Sequence, residues 1–178
     1  ADKFENGGRT DVDADTQAEG KVGTHFDAVR RSISEAISES GMEKYIDIEE
    51  DPHWLSININ SGLLFAKDSA SVLAASRPVI ARIAVALSNI NNYIRIRGYT
   101  DNTFIPNGIF RNSWDLSANR SVSVLEELEK AGIEPERMAV EAFGQFSNKY
   151  SNKTAAGRAL NRKVVIAISR YAMERKPE

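Results

Sequence analysis

The 178-residue sequence contains no cysteine and only two histidines, His25 and His53. Disulfide bonds and cysteine-based zinc sites are therefore excluded, and metal sites built on several histidines are not expected. We accordingly predict neither a metal ion nor a cofactor. A chain without cysteine suits an oxidising compartment but does not prove one.

A basic surplus and long apolar runs are also missing. Lys and Arg number 23 against 25 Asp and Glu, which gives a net charge of −2. Domains that bind nucleic acid usually carry a basic surplus, so we expect no nucleic-acid partner. No apolar run approaches the roughly 20 residues that a membrane helix needs. The chain starts at Ala1 without a methionine or a signal peptide, and we interpret it as a soluble fragment processed or excised from a longer protein.

The composition divides the chain into a polar start, a patterned middle and a short polar end. Residues 1–23 are polar and contain several glycines, which predicts a flexible linker that cannot fold by itself. Residues 171–178 predict a frayed C-terminal tail. Between them, Thr24 can cap a helix over 24–40. The apolar residues on one stripe of this helix could form a dimer contact or pack on the core: Phe26, Val29, Ile33 and Ile37.

The remaining patterns alternate between strands and helices. Because parallel strands need a crossover, each strand–helix–strand passage should be right-handed. We therefore predict an α+β fold, a two-layer sandwich in which helices pack on one face of a mixed β-sheet. The predicted strands are 45–48, 55–60, 92–99, 138–143 and 163–169, and the predicted helices are one capped by Ser76, one over 114–131 and a helical turn over 155–160.

The polar loop between strand 92–99 and helix 114–131 carries the clearest candidate site. Asp101 begins this loop, and Arg120 lies one helical turn beyond Leu116. A helix N-terminus and an arginine fork both suit a carboxylate, whereas Asp101 can accept from an ammonium group. The pattern predicts recognition of a small zwitterion or carboxylate. The alternative is an internal Asp101–Arg120 salt bridge, which contributes only about 0–1 kcal/mol when exposed.

Several further residues leave two interpretations open. Arg158, Asn161 and Arg162 could either satisfy backbone carbonyl groups or contact a ligand at the rim of the same cleft. For Phe110 and Trp114 we favour a role as core aromatics that anchor the loop over a role as platforms for sugars.

Three ordered blocks of this sequence resemble the OmpA-like peptidoglycan-binding domain. The resemblance covers roughly residues 54–169. Within that family, Thr103, Ile105, Pro106 and the run 114–117 resemble the periplasmic domain of flagellar motor stator B subunits of the MotB/PomB type. The blocks are Phe65 to Ala70; Gly98 to Asn102 followed by Leu116 to Arg120; and Gly144 to Val164, with Tyr99 and Ser113 as departures from the usual histidine and asparagine.

The resemblance implies a function and a set of partners. It implies non-covalent peptidoglycan binding that anchors a flagellar stator to the cell wall, in the periplasm, by the soluble part of a single-pass inner-membrane protein. It also implies a homodimer and a membrane channel subunit as partners. From the residues around the cleft we expect no enzymatic activity. The implied ligand is the diaminopimelate of the stem peptide, held by Asp101 and Arg120, with further site residues Thr100, Asn102, Leu116 and Arg158.

The resemblance also divides the chain and leaves alternatives. We predict an N-terminal extension over 24–53 and an OmpA-like domain over 54–170. The chain could instead be the peptidoglycan anchor of an outer-membrane protein or lipoprotein outside motility. A cell-wall hydrolase is a third reading, but it would need two convergent carboxylates or an activated nucleophile, and we expect only one acid near the cleft.

Overall fold

A computed structural model of the chain describes residues 26–173. The predicted linker, the cap at Thr24 and the end of the predicted tail lie outside these residues. Within them, no helix combines the length and the apolar character that a bilayer span requires. The helices are α1 (26–40), α2 (Ser61–Leu64), α3 (Arg77–Ser88), α4 (Ser113–Lys130) and α5 (Ala155–Asn161); the strands are β1 (Ile46–Glu50), β2 (Trp54–Asn60), β3 (Asn92–Tyr99), β4 (Met138–Gly144) and β5 (Lys163–Ala172).

The five strands form one mixed sheet in the order β1-β2-β5-β3-β4. β3 and β4 are parallel, and α4 connects them. The other neighbouring strands are antiparallel, which places β5, the last strand of the chain, in the middle of the sheet. This architecture confirms the predicted α+β fold with a mixed sheet.

Helices α1, α3 and α4 pack on one face of this sheet. Alternate residues of β2, β3 and β5 point to that face, and they share one hydrophobic cluster with the apolar stripes of the three helices. The stripe of α1 is buried in the same cluster, so these side chains pack on the core: Phe26, Val29, Ile33 and Ile37.

The site is positioned by a close approach between β3 and α4. Gly98 lies near the end of β3, where an added Cβ would clash with the carbonyl oxygen of Ser117 and come within 2.6 Å of the Ser121 Oγ. Only a residue without a side chain lets α4 lie so close to the strand. The loop that follows β3 and the first turns of α4 are therefore held next to each other.

Two local predictions were wrong or incomplete. Ser76 does not cap α3 with its side chain, because its Oγ donates to the Leu63 carbonyl at 2.5 Å. The four-residue helix α2 was not predicted, since it is too short for a periodic pattern. Its N-cap is Asn60, whose side chain accepts from the Gly62 amide.

Candidate ligand-binding cleft

A cleft of about 470 Å³ opens beside the C-terminal end of β3. Its walls come from α2 and the loop after it, from the loop after β3, from α4, and from the residue that follows α5. Both principal residues predicted from the sequence, Asp101 and Arg120, line it. The charged lining residues are Lys67, Asp68, Asp101, Arg120 and Arg162, and the large apolar ones are Phe65, Phe104, Ile105 and Leu116.

Asp101 is buried, and both of its carboxylate oxygens accept hydrogen bonds. Its Oδ1 accepts from the Thr103 amide at 2.8 Å and from the Thr103 hydroxyl at 2.6 Å. Its Oδ2 accepts from Nη1 of Arg162 at 2.5 Å. Burial opposes ionisation, but the hydrogen bonds from Thr103 and the charge of Arg162 outweigh it and lower the pKa of the Asp101 carboxyl. Asp101 is therefore an anion throughout the physiological range.

Arg120 is a buried cation that holds the loop after α2. Its Nε donates to the Ser69 carbonyl at 2.8 Å and its Nη2 to the Ala66 carbonyl at 3.4 Å. The guanidinium lies 5.0 Å from the centre of the Phe65 ring. Burial lowers the pKa of Arg120, while the nearby carboxylates of Asp68 and Asp101 favour its charged form. An arginine still stays protonated in such a site.

The alternative of an internal Asp101–Arg120 salt bridge is wrong. Within residues 26–173, Asp101 forms its ion pair with Arg162, and Arg120 donates to backbone carbonyl groups. The two groups are near enough for the charge of Asp101 to act on Arg120 without contact. The cleft thus presents an anion and a cation that do not neutralise each other directly.

The other predicted site residues divide into two groups. Thr100 and Leu116 line the cleft beside Asp101 and Arg120. Asn102 is exposed and is not among the lining residues. Arg158 is also absent from the lining, and its Nη1 donates to the Asn152 carbonyl at 2.9 Å. Of the two interpretations left open by the sequence, the structure thus has the one in which Arg158 satisfies a backbone carbonyl group.

The N-terminus of α4 does not offer the expected carboxylate site. Asn112 caps the helix by accepting from the Asp115 amide at 2.8 Å. The carboxylate of Asp115 accepts from the Arg111 amide at 3.0 Å and places a negative charge in the first turn. Asn112 thus pairs with one of the amide groups of the first turn, and the carboxylate of Asp115 offsets the positive end of the helix dipole. The cleft is lined instead by Leu116 and Arg120, further along the helix.

Sequence reasoning missed the wall formed by the loop after α2. Lys67 and Asp68 both line the cleft, so the expectation of a single acid near it was wrong. Asp68 has a positive φ of 58°, the left-handed conformation that aspartate tolerates better than most residues. Arg162 was left open by the sequence, although its place in the third block of the resemblance was a usable signal.

Phe110 and Trp114, both predicted to be core residues, differ in their burial. Phe110 is buried, as predicted. Trp114 is 51% exposed and stacks on Phe146, which is 60% exposed, with the ring centres 4.3 Å apart. Trp114 therefore packs on a neighbouring loop rather than in the core. No cluster of three or more His, Asp or Glu side chains able to hold a metal ion occurs within residues 26–173.

Comparisons with known proteins agree with this geometry. The model of the OmpA family matches residues 64–162, more than half of the chain. Motility protein B of Bacillus subtilis is 28% identical over 142 residues, which are 79% of this chain but only 54% of that protein. The chain thus spans about half the length of this relative.

Two solved structures resemble the fold closely. A MotB-like protein from Desulfovibrio vulgaris matches with a TM-score of 0.75 at 24% identity, over 88% of this chain and 98% of that one. The cell wall anchor of the T6SS from Pseudomonas aeruginosa matches with a TM-score of 0.71 at 26% identity, over 77% of this chain and 96% of that one. The fold, the site blocks and the family match agree, and the chain belongs to the OmpA family.

Proposed function

We propose that this chain binds peptidoglycan without covalent chemistry and anchors a flagellar motor stator to the cell wall in the periplasm. The observation that carries the proposal is a single cleft that holds the Asp101 carboxylate and the Arg120 guanidinium without a direct ion pair between them. Such a cleft suits a ligand with an ammonium group and a carboxylate group. The diaminopimelate residue of a stem peptide has both groups on its free terminal carbon, at the end of a short aliphatic chain.

Each part of this ligand has a complementary group in the cleft. Arg120 uses Nε and Nη2 for the loop after α2, and its Nη1 donates to no atom of residues 26–173 and is free for a ligand carboxylate. Asp101 takes the ammonium group. Phe65 and Leu116 provide apolar surface for the methylene groups that connect this charged end to the peptide backbone.

The state of Asp101 supports binding rather than hydrolysis. A glycosidase needs a general acid whose pKa is raised so that it can carry a proton near neutral pH. The hydrogen bonds from Thr103 and the charge of Arg162 prevail over burial and lower the pKa of Asp101. Asp101 is therefore suited to hold a cation and unsuited to donate a proton, and we propose that the chain is not an enzyme.

The motility role rests on the likeness to Motility protein B. From the same likeness we also propose that the chain works as a homodimer, that a membrane helix precedes it in the parent protein, and that a channel subunit is its partner. The likeness to the T6SS cell wall anchor favours a second candidate, a peptidoglycan anchor of a system outside motility. The residues that precede Ala1 in the parent gene distinguish the two: a membrane helix of the stator kind supports the first, and a lipobox or β-barrel supports the second.

Sedimentation with purified diaminopimelate-type sacculi tests the binding proposal. Asp101→Asn keeps an acceptor for Thr103 but removes the negative charge, and Arg120→Lys keeps the charge but removes the fork that can serve loop and ligand together. We expect each variant to need at least about tenfold more wall for half-maximal binding, the loss that follows from one charge-assisted hydrogen bond.

Two charge-matched variants serve as controls. Asp27→Asn and Arg82→Gln alter exposed side chains of α1 and α3, outside the cleft, and should sediment like the wild type. Wild-type binding by both Asp101→Asn and Arg120→Lys would rule out this cleft as the peptidoglycan site.

A further inference from the structure

The cation position of Asp101 is already occupied by a side chain of the protein. The Asp101 side chain is only 4% exposed, so little water can reach its carboxylate. Oδ1 accepts two hydrogen bonds from Thr103, which use the acceptor sites of that oxygen. Oδ2 accepts from Arg162 at 2.5 Å. A ligand ammonium group therefore meets one unused acceptor site, on the Oδ2 atom that already carries Arg162, and a second cation reaches it only against the positive charge of Arg162.

We propose that Arg162 is the internal counter-ion of Asp101, and that a ligand ammonium group binds only by displacing it. This inference rests on the proposed function, because it concerns the same cleft. The contact between Arg162 and Asp101 joins opposite charges where little water reaches the carboxylate, so Coulomb attraction adds to the hydrogen bond. A neutral hydroxyl or amide of a ligand is thus a poor competitor for Oδ2, whereas an ammonium group exchanges one cation for another.

The surroundings of Arg162 allow this displacement. Its side chain is 44% exposed, in contrast to that of Asp101. Arg162 also lines a second, smaller cavity of about 130 Å³, on the side of β1. The walls of this cavity carry charged side chains of both signs: Glu43, Asp47, Glu49, Lys44 and Lys163. The guanidinium group can therefore leave the first cleft for water, or for a cavity that offers carboxylates of its own, without burial of an unpaired charge.

A ligand carboxylate would also ease a repulsion in the empty cleft. The positive charge of Arg162 acts unfavourably on Arg120, in addition to the burial of Arg120. A ligand ammonium group that replaces Arg162 keeps one positive charge at Asp101, so the relief of Arg120 comes from the carboxylate that the same ligand brings. The ligand that gains most from this exchange carries an ammonium group and a carboxylate group at once.

Removal of Arg162 tests the inference, because it predicts a gain of binding. We expect Arg162→Gln to bind native diaminopimelate-type sacculi at about fivefold lower amounts of wall than the wild type, since the competitor is gone. Arg162→Lys keeps a cation near Asp101 and should bind like the wild type. On sacculi whose free amino groups have been acetylated, Arg162→Gln should show no gain. Arg82→Gln is the control for loss of one positive charge, and thermal melting of every variant checks its folding.

The outcomes separate this inference from the proposed function. If the wild type fails to sediment with native sacculi, the proposed function is wrong and the inference falls with it. If the wild type sediments but Arg162→Gln binds equally or more weakly, only the inference is wrong, and Arg162 is then a structural or ligand-binding residue. A gain of equal size on acetylated sacculi would also overturn the inference, since it would not depend on the ammonium group.

A measurement on the wild type covers the case in which Arg162→Gln does not fold. In the NMR spectrum of ¹⁵N-labelled protein, the Nη–H groups of an arginine in an ion pair give separate signals because the rotation of the guanidinium group is slowed. The signals that are missing from the spectrum of Arg162→Lys belong to Arg162. Titration with free meso-diaminopimelate should remove the slowed Nη signal of Arg162. Persistence of that signal in the ligand-saturated protein would show that Arg162 stays on Asp101.

Discussion

At the scale of single residues, the ionisation of Asp101 has a consequence for stability. The folded state lowers its pKa because the Thr103 hydrogen bonds and Arg162 prevail over burial. In the unfolded chain the group has an ordinary pKa of about 3.9. The ionised carboxylate therefore stabilises the fold fully above that value, and this contribution is lost as the pH falls through the lower pKa of the folded state.

Asp101→Asn should reveal this dependence. We expect the variant to lose about 1–2 kcal/mol of unfolding free energy at pH 7, because a charge-assisted network with a half-exposed partner is broken. The difference from the wild type should shrink as the pH falls below about 3.9, because the carboxyl of the unfolded wild type then takes up a proton while that of the folded protein is still ionised. Urea unfolding at several pH values measures it, with Asp27→Asn as the control. A difference that is constant down to pH 3 would contradict the assignment.

The partners of these residues explain what the sequence could not predict. The positions of Asp101 and Arg120 followed from local patterns and from the family blocks. Their contacts did not, because Arg162 is 61 residues from Asp101 in sequence and Ser69 is 51 residues from Arg120. No local period encodes such pairs, so the structural role of Arg120 and the occupied state of Asp101 appear only in the folded chain.

At the scale of elements, helix α1 is an integral part of the core. Its stripe residues belong to the same cluster as the strands, and Ile33 is 0% exposed. Two exposed ion pairs, Arg30–Glu50 at 3.1 Å and Arg82–Glu39 at 3.1 Å, link the helix to β1 and α3. Such exposed pairs contribute little, so the apolar contacts hold α1 in place.

Ile33→Ala measures that contribution. We expect a loss of about 2–5 kcal/mol of unfolding free energy, the usual cost of truncating a buried isoleucine. Ser32→Ala, at the neighbouring exposed position of the same helix, should change stability by less than about 0.5 kcal/mol. Denaturant titration compares the two. Equal stability of Ile33→Ala and the wild type would mean that α1 is detached in solution.

Some helices and strands could be predicted from the pattern of apolar residues in the sequence, and others could not. Strict alternation predicted strand 92–99 with the bounds that the structure has for β3, because one face of this strand is apolar and the other polar. Helix α2 escaped prediction because four residues carry no periodic pattern. Trp114 was wrongly predicted to lie in the core. Its partner Phe146 is far away in the sequence, so the position of Trp114 in a helix could not show that the two rings stack at the surface.

At the scale of the whole molecule, the region before residue 54 and the region after it share one sheet and one core. β1 pairs with β2 along its whole length, from Ile46 opposite Ile59 to Glu50 opposite Leu55. The division of the chain at residue 53 stays a prediction. The shared sheet and cluster lead us to expect that both regions unfold in a single cooperative transition.

The two tryptophans allow a direct test of cooperativity. Trp54 lies at the start of β2, with the guanidinium of Arg97 4.5 Å from the centre of its ring, and Trp114 lies in the first turn of α4. The variants Trp114→Phe and Trp54→Phe each leave a single fluorescent probe. We expect the fluorescence midpoint of each variant to coincide with its own midpoint by circular dichroism. Separate transitions for the two signals would indicate two independently folding regions.

The position of α1 also determines how the molecule responds to mechanical load. A pull transmitted through the residues before 26 reaches α1 first, and the five-stranded sheet only after it. A helix held by side-chain contacts peels away one turn at a time, whereas antiparallel strands resist together when they are sheared. The 15 residues of α1 would lengthen by about 30 Å on changing from helix to extended chain. We therefore expect α1 to unfold under tension, and to lengthen the chain, before the residues of the cleft are disturbed.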